Sequence, residues 1–144
     1  MSNSTLYDRD FYAWSQKQAE LLRSGKFKEA DIPNIIEEIE TLGRSEMREL
    51  VSRLRVLLLH LLKWKHQPNL QGQSWRLTIL VQRHELAEHL NESPSLKSRL
   101  TEAKTRAYRL ALVEATMETG LPKETFPAEC PWSSDEIIDE NFWP

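Results

Sequence analysis

At 144 residues and 16.9 kDa the chain is long enough for one buried core and too short for two ordinary domains. Hydrophobic residues make up 40% and charged residues 28%, with a mean hydropathy of -0.57, a globular balance that excludes both a disordered and a membrane-embedded chain. The 19 Lys and Arg against 22 Asp and Glu leave a formal charge of -3, so only a local patch can attract nucleic acid or acidic lipid.

Residues 1–10 are polar, without the apolar run of a secretion signal, which predicts a cytoplasmic chain. A first helix is expected to open near Asp8 or Asp10, to run through Phe11, Trp14, Gln18, Leu21 and Leu22, and to end where Gly25 can turn left-handed. Asp31 is a candidate N-cap, with Pro33 in the first turn and Ile32, Ile35, Ile36, Ile39 and Leu42 at helical spacing. Beyond Gly43 the same phase continues through Met47, Leu50, Val51, Leu54, Leu57, Leu58, Leu61 and Leu62 until Pro68. A glycine inside a helix costs only about 1 kcal/mol relative to alanine, so one long central helix over residues 32–66 is predicted. Its longest uninterrupted apolar run, residues 56–59, is far short of the roughly 20 residues a membrane span needs.

Ser74 is a candidate cap for a helix through Trp75, Ile79, Leu86 and Leu90, with Leu77, Leu80 and Val81 making its first half apolar on every side. Ser93-Pro94 is a cap followed by a first-turn proline, and Leu96, Leu100, Ala103, Ala107, Leu110 and Ala111 predict a last long helix closed by Gly120. Pro122, Pro127 and Pro131 keep the following stretch out of a helix, and a short turn is expected near residues 134–138. No segment alternates with the period of a strand. The expected fold is all-α: a single domain over residues 1–144, an antiparallel bundle with a long central helix and an extended Pro-rich C-terminal tail, residues 121–144, packed on it.

Several local motifs occur together in one order. They are Asp10-Phe11-Tyr12-Ala13-Trp14, Glu37-Glu38-Ile39-Glu40-Thr41-Leu42-Gly43, His60-Leu61-Leu62-Lys63-Trp64, Gln67-Pro68, Ser74-Trp75-Arg76, Pro94-Ser95-Leu96, Glu118-Thr119-Gly120-Leu121 and Phe126-Pro127. On these the chain resembles, over nearly its whole length, a bacterial family abundant in cyanobacteria and catalogued as domain of unknown function number twenty-nine. The resemblance implies an all-helical bacterial protein and brings no activity or catalytic residues with it.

Charge is unevenly spread. Residues 44–84 hold eight basic side chains (44, 48, 53, 55, 63, 65, 76, 83) against Glu46 and Glu49, a local +6, which leaves -9 for the remainder. Internal pairing of acidic flanks with a basic centre is one account. The other is an anion site at one helix-loop-helix corner, where Lys63, Trp64, Lys65, His66, Gln67, Trp75 and Arg76 combine cations with aromatic planes, as single-stranded nucleic acid requires. Arg53, His60 and Trp64 share one flank of the central helix, which makes Arg53 and His60 candidates for a groove. Against this stands a structural use of His60 and Trp64 at the edge of the core. Gln82 and Glu114 interrupt apolar stripes and are expected to be partly buried, with Glu114 paired to an Arg or His. His84, Glu85, Glu88 and His89 lack the spacing of zinc or di-iron sites and read as a solvated face, as do Glu37, Glu38 and Glu40. Cys130 has no cation to activate it.

No metal and no cofactor is expected, and no residue is assigned a catalytic role. The favoured reading is a non-catalytic helical module that binds a protein partner or its own copy, with Phe142-Trp143-Pro144 as an aromatic lure. The alternatives are a nucleic-acid or phosphorylated ligand at residues 63–76 and an enzyme using His60 as acid or base.

Overall fold

Helix boundaries follow the punctuation of the chain. In the computed structural model, which describes residues 3–144 and their side chains from Leu6 onward, the helices are α1 (Asn3–Arg9), α2 (Phe11–Arg23), α3 (Ile32–His66), α4 (Gln73–Glu92), α5 (Leu100–Thr119) and α6 (Ser134–Ile138). No strand occurs among the described residues, so the fold is all-α with a long central helix. No helix is long and apolar enough to cross a membrane among the described residues.

Asp10 caps α2 by accepting the Ala13 amide at 3.0 Å, and Gly25, just past the helix end, takes φ 73°, which side chains with a Cβ rarely adopt. Gly120 closes α5 in the same way at φ 71°. α3 runs for 35 residues straight through Gly43. Three boundaries differ from the sequence expectation. The helix α1 precedes the expected start, and α4 begins at Gln73 with Gly72 extended before it, which puts Ser74 inside the first turn rather than at the cap. Residues Pro94–Arg99 form a 3-10 turn and α5 starts only at Leu100; the Ser93 hydroxyl makes no cap bond to the following amides and lies 3.4 Å from Glu46 Oε2. The first half of α4 is also less enclosed than its composition suggests: Leu77 is 57% and Val81 52% exposed, and the buried stripe is Ile79, Arg83, Leu86, His89 and Leu90.

The chain divides into two compact units, residues up to Ser45 and residues from Glu46 on. In the first, Tyr7 meets Trp14 edge-on at 4.7 Å and Phe11 stacks on Trp14 at 5.4 Å. The Tyr7 hydroxyl donates to the Glu38 carboxylate, which pushes the phenol pKa up to about 12. The Trp14 indole N–H and Asn34 Nδ2 donate to Asp31 Oδ2 at 3.0 and 2.8 Å, so a buried carboxylate retains polar partners, and the Asp31 backbone amide donates to Gln18 Oε1 at 2.7 Å.

The second unit holds the main core. Leu50, Leu54, Leu57, Leu58, Leu61 and Leu62 of α3 pack with Ile79 and Leu86 of α4 and with Ala103, Ala107, Ala111 and Ala115 of α5. The alanine stripe lets α5 approach closely, and each buried leucine contributes about 1.5–3 kcal/mol. Phe126, Trp132 and Ile137 belong to the same core, and the Tyr108 hydroxyl donates to the Pro127 carbonyl at 2.6 Å, fastening the segment after α5. The Ser133 hydroxyl and the Glu136 carboxylate cap α6 reciprocally.

Candidate functional site

α3 stops at Pro68, which has no amide proton to continue the helix, and its last turn carries Lys63, Lys65 and His66 where the helix dipole favours cations. Gln71 Nε2 donates to the Trp64 carbonyl at 2.8 Å, folding the connection back so that the start of α4 returns beside the end of α3. Lys63 Nζ lies 5.5 Å from the centre of the Trp75 ring and 3.1 Å from Glu118 Oε2. The Trp64 ring is 4.8 Å from that of Trp143, and the Trp143 ring in turn lies 5.2 Å from Arg76 Cζ and 5.4 Å from Arg83 Cζ. The corner therefore unites Lys63, Trp64, Trp75, Arg76, Arg83 and Trp143.

Arg83 is the least expected member. It is 1% exposed, its Nε donates to the Ile137 carbonyl at 2.8 Å, and its Nη1 and Nη2 have no hydrogen-bond partner among the described residues. Burial pulls its pKa down, opposed by the charges of Asp139 and Glu140. The sequence did carry a signal, since Arg83 stands four residues after Ile79 and three before Leu86, on the buried stripe itself. Gln82, chosen from the pattern, is half-buried with Oε1 unpartnered.

His66 sits edge-on to Phe126 at 5.0 Å, and burial, helped by Lys65, lowers its pKa. Gln67 is half-buried at the exit of α3. Arg53 stands apart from the corner, whereas His60 lies one turn before Trp64 and within electrostatic reach of Lys63 and Glu118. Arg53 lies ten residues before Lys63, about 15 Å along the helix, and faces Glu49 and Glu85 at 3.7 Å each. His60 Nδ1 is 2.8 Å from the Val56 carbonyl of its own helix, and burial lowers its pKa. Glu114, the acid a catalytic His60 would call on, gives its carboxylate to Arg55 at 3.0 Å.

One correction concerns His84, Glu85, Glu88 and His89. His84 and Glu88 do pair on the surface at 3.2 Å, but His89 is only 4% exposed, with Nε2 2.8 Å from Glu46 and 2.9 Å from Glu49. The donor atoms of these three residues lie within 4.8 Å of one another, which makes them a group that could hold a metal among the described residues. Nε2 faces the two carboxylates directly, and Nδ1 has no partner among the described residues to orient the ring as metal ligands require. Away from both sites, α5 borders an apolar groove of about 480 Å³ lined by Leu112, Val113 and Met117 with Arg109 and Lys123 beside them.

Among the described residues the chain is helical without strands, and one cluster of its cations and aromatic rings lies where α3 turns into α4. The family described as "Domain of unknown function DUF29" matches residues 6–143, and the chain belongs to it. No curated protein and no solved structure matches.

Proposed function

We propose that the chain is a cytoplasmic, non-catalytic helical interaction module, and that the first half of α3 is the surface through which it pairs with a second copy of itself. One observation carries this: Ile36, Ile39 and Leu42, on successive turns, are 49%, 62% and 67% exposed although the sequence makes them an apolar stripe. Because 49–67% of each side chain is exposed, covering the three on each of two copies yields roughly 1–2 kcal/mol apiece, whereas association costs about 4–15 kcal/mol. The pairing is therefore weak and depends on concentration. Within the residues from Glu46 on, short connections support antiparallel packing of neighbouring helices, with residues 121–144 laid against them.

The test is molar mass by light scattering across a concentration series. The native chain is expected to gain mass as concentration rises, and Ile39→Lys with Leu42→Lys is expected to stay monomeric with an unchanged melting temperature. A native chain that remains monomeric at every concentration defeats the proposal.

A second reading has its own support. Lys63 over Trp75, and Arg76 and Arg83 over the Trp143 ring that lies against Trp64, supply the cations and flat rings that a nucleic-acid or phosphorylated ligand uses. Its affinity should fall steeply as salt rises, and a flat response would remove it.

A further inference from the structure

Trp143 is held between flat groups. Its ring lies 4.8 Å from Trp64, with the guanidinium carbons of Arg76 and Arg83 5.2 and 5.4 Å from its centre. A ring contact tilted at 47° and cation–π attraction account for its position. They do not account for Arg83, a side chain 1% exposed whose Nη1 and Nη2 donate to no described residue. An indole offers a π face and one N–H donor but no acceptor, so it leaves those donors unfilled. Buried guanidinium groups ordinarily close on a carboxylate or phosphate, often through two parallel bonds. The chemistry that completes this slot is a flat ring carrying an anion.

Resting on the second reading above, we infer that the corner is a binding site for a nucleotide unit, closed by the chain's own tail, with Trp143 standing where the base stacks. The base replaces the indole against Trp64 and the phosphate fills the free donors of Arg83 beside Arg76. The element that has to give way is short, although Phe142 meets Trp132 edge-on at 6.4 Å and packs with Trp143 against the core. α6 ends at Ile138, whose neighbour Ile137 is anchored in the core, and residues 139–144 beyond it contain no helix. Asp139 and Glu140, which act electrostatically on Arg83, lie on this same segment, so when it lifts two negative charges leave as a phosphate arrives. A tail and a ligand that compete for one slot lower the apparent affinity by the fraction of time the slot is open. A tail closed nine times in ten weakens binding about tenfold.

Binding is measured by titration calorimetry at low salt with two probes, adenosine monophosphate and an eight-nucleotide single-stranded oligouridylate. The full chain is compared with Trp143→Ala and with the double variant Trp143→Ala, Arg76→Gln. Removing the indole is expected to tighten binding about tenfold, and Arg76→Gln to reverse most of that gain. An oligonucleotide preferred strongly over the mononucleotide identifies a strand as the source of the nucleotide unit, and equal affinity identifies the free nucleotide. A folded Trp143→Ala chain that binds no tighter than the native chain overturns the tail closure while leaving nucleotide binding in place. Absence of binding by both chains overturns the nucleotide site itself. Should Trp143→Ala fail to fold, amide exchange over residues 139–144 of the native chain decides: acceleration at saturating oligonucleotide supports release of the tail, and unchanged exchange refutes it.

Discussion

The two halves of α3 carry the same apolar rhythm and meet opposite fates. In residues 46–66 the stripe is sealed, with Leu50, Leu57, Leu58, Leu61 and Leu62 at zero exposure, while in residues 32–45 Ile36, Ile39 and Leu42 remain in solvent. Periodicity specifies a helix and the face that seeks cover; whether a cover exists depends on residues far away in sequence. The second half finds the alanine stripe of α5 and the leucines of α4, supplied from 20 or more positions downstream.

The sharpest way to break the comparison is to truncate one leucine in each half. Leu58→Ala is expected to cost about 2–5 kcal/mol of unfolding free energy through lost burial and a residual cavity, whereas Leu42→Ala at low protein concentration should change it by under about 0.5 kcal/mol. Urea denaturation of both variants checks this, and equal losses would mean that the exposed stripe is covered after all. A smaller effect of opposite sign comes from the residue between the halves. A Cβ at Gly43 meets nothing within 4 Å and the helix is continuous there, so Gly43→Ala should stabilise by about 0.5–1 kcal/mol in the same assay.

The mildest effect concerns pH in the sealed half. His60 is held below its ordinary pKa of 6.5 by burial, so between its folded and unfolded pKa values the unfolded chain binds more protons than the folded one. Its neutral form is therefore fully compatible with folding above about pH 6.5, and stability is lost as pH falls below that value. Melting temperatures from pH 7.5 to 5.5 should decline less steeply in His60→Asn than in the native chain, and parallel curves would remove His60 from the account.

Helix type and the continuity of α3 could be read from spacing, because both are set within a few turns of chain. What eluded the sequence is pairing at a distance. His89 reads as surface beside His84 and Glu88, yet Glu46 and Glu49, some 40 positions earlier, supply the carboxylates that let it be buried. The Ser93 hydroxyl, a cap candidate by sequence, likewise lies 3.4 Å from Glu46 and caps no amide of the turn that follows it. At the corner, Lys63, Trp64, Trp75 and Arg76 are near one another in sequence and were visible together, whereas Arg83 and Trp143 join through the fold.

Cys130, the chain's one cysteine, is half-buried, with burial as the main force raising its pKa and Sγ 3.6 Å from the Trp132 carbonyl. A thiol kept protonated reacts sluggishly with disulfide reagents such as Ellman's. Its labelling rate consequently serves as a built-in clock for the loosening of the segment around Trp132, readable in a cuvette without altering a single residue.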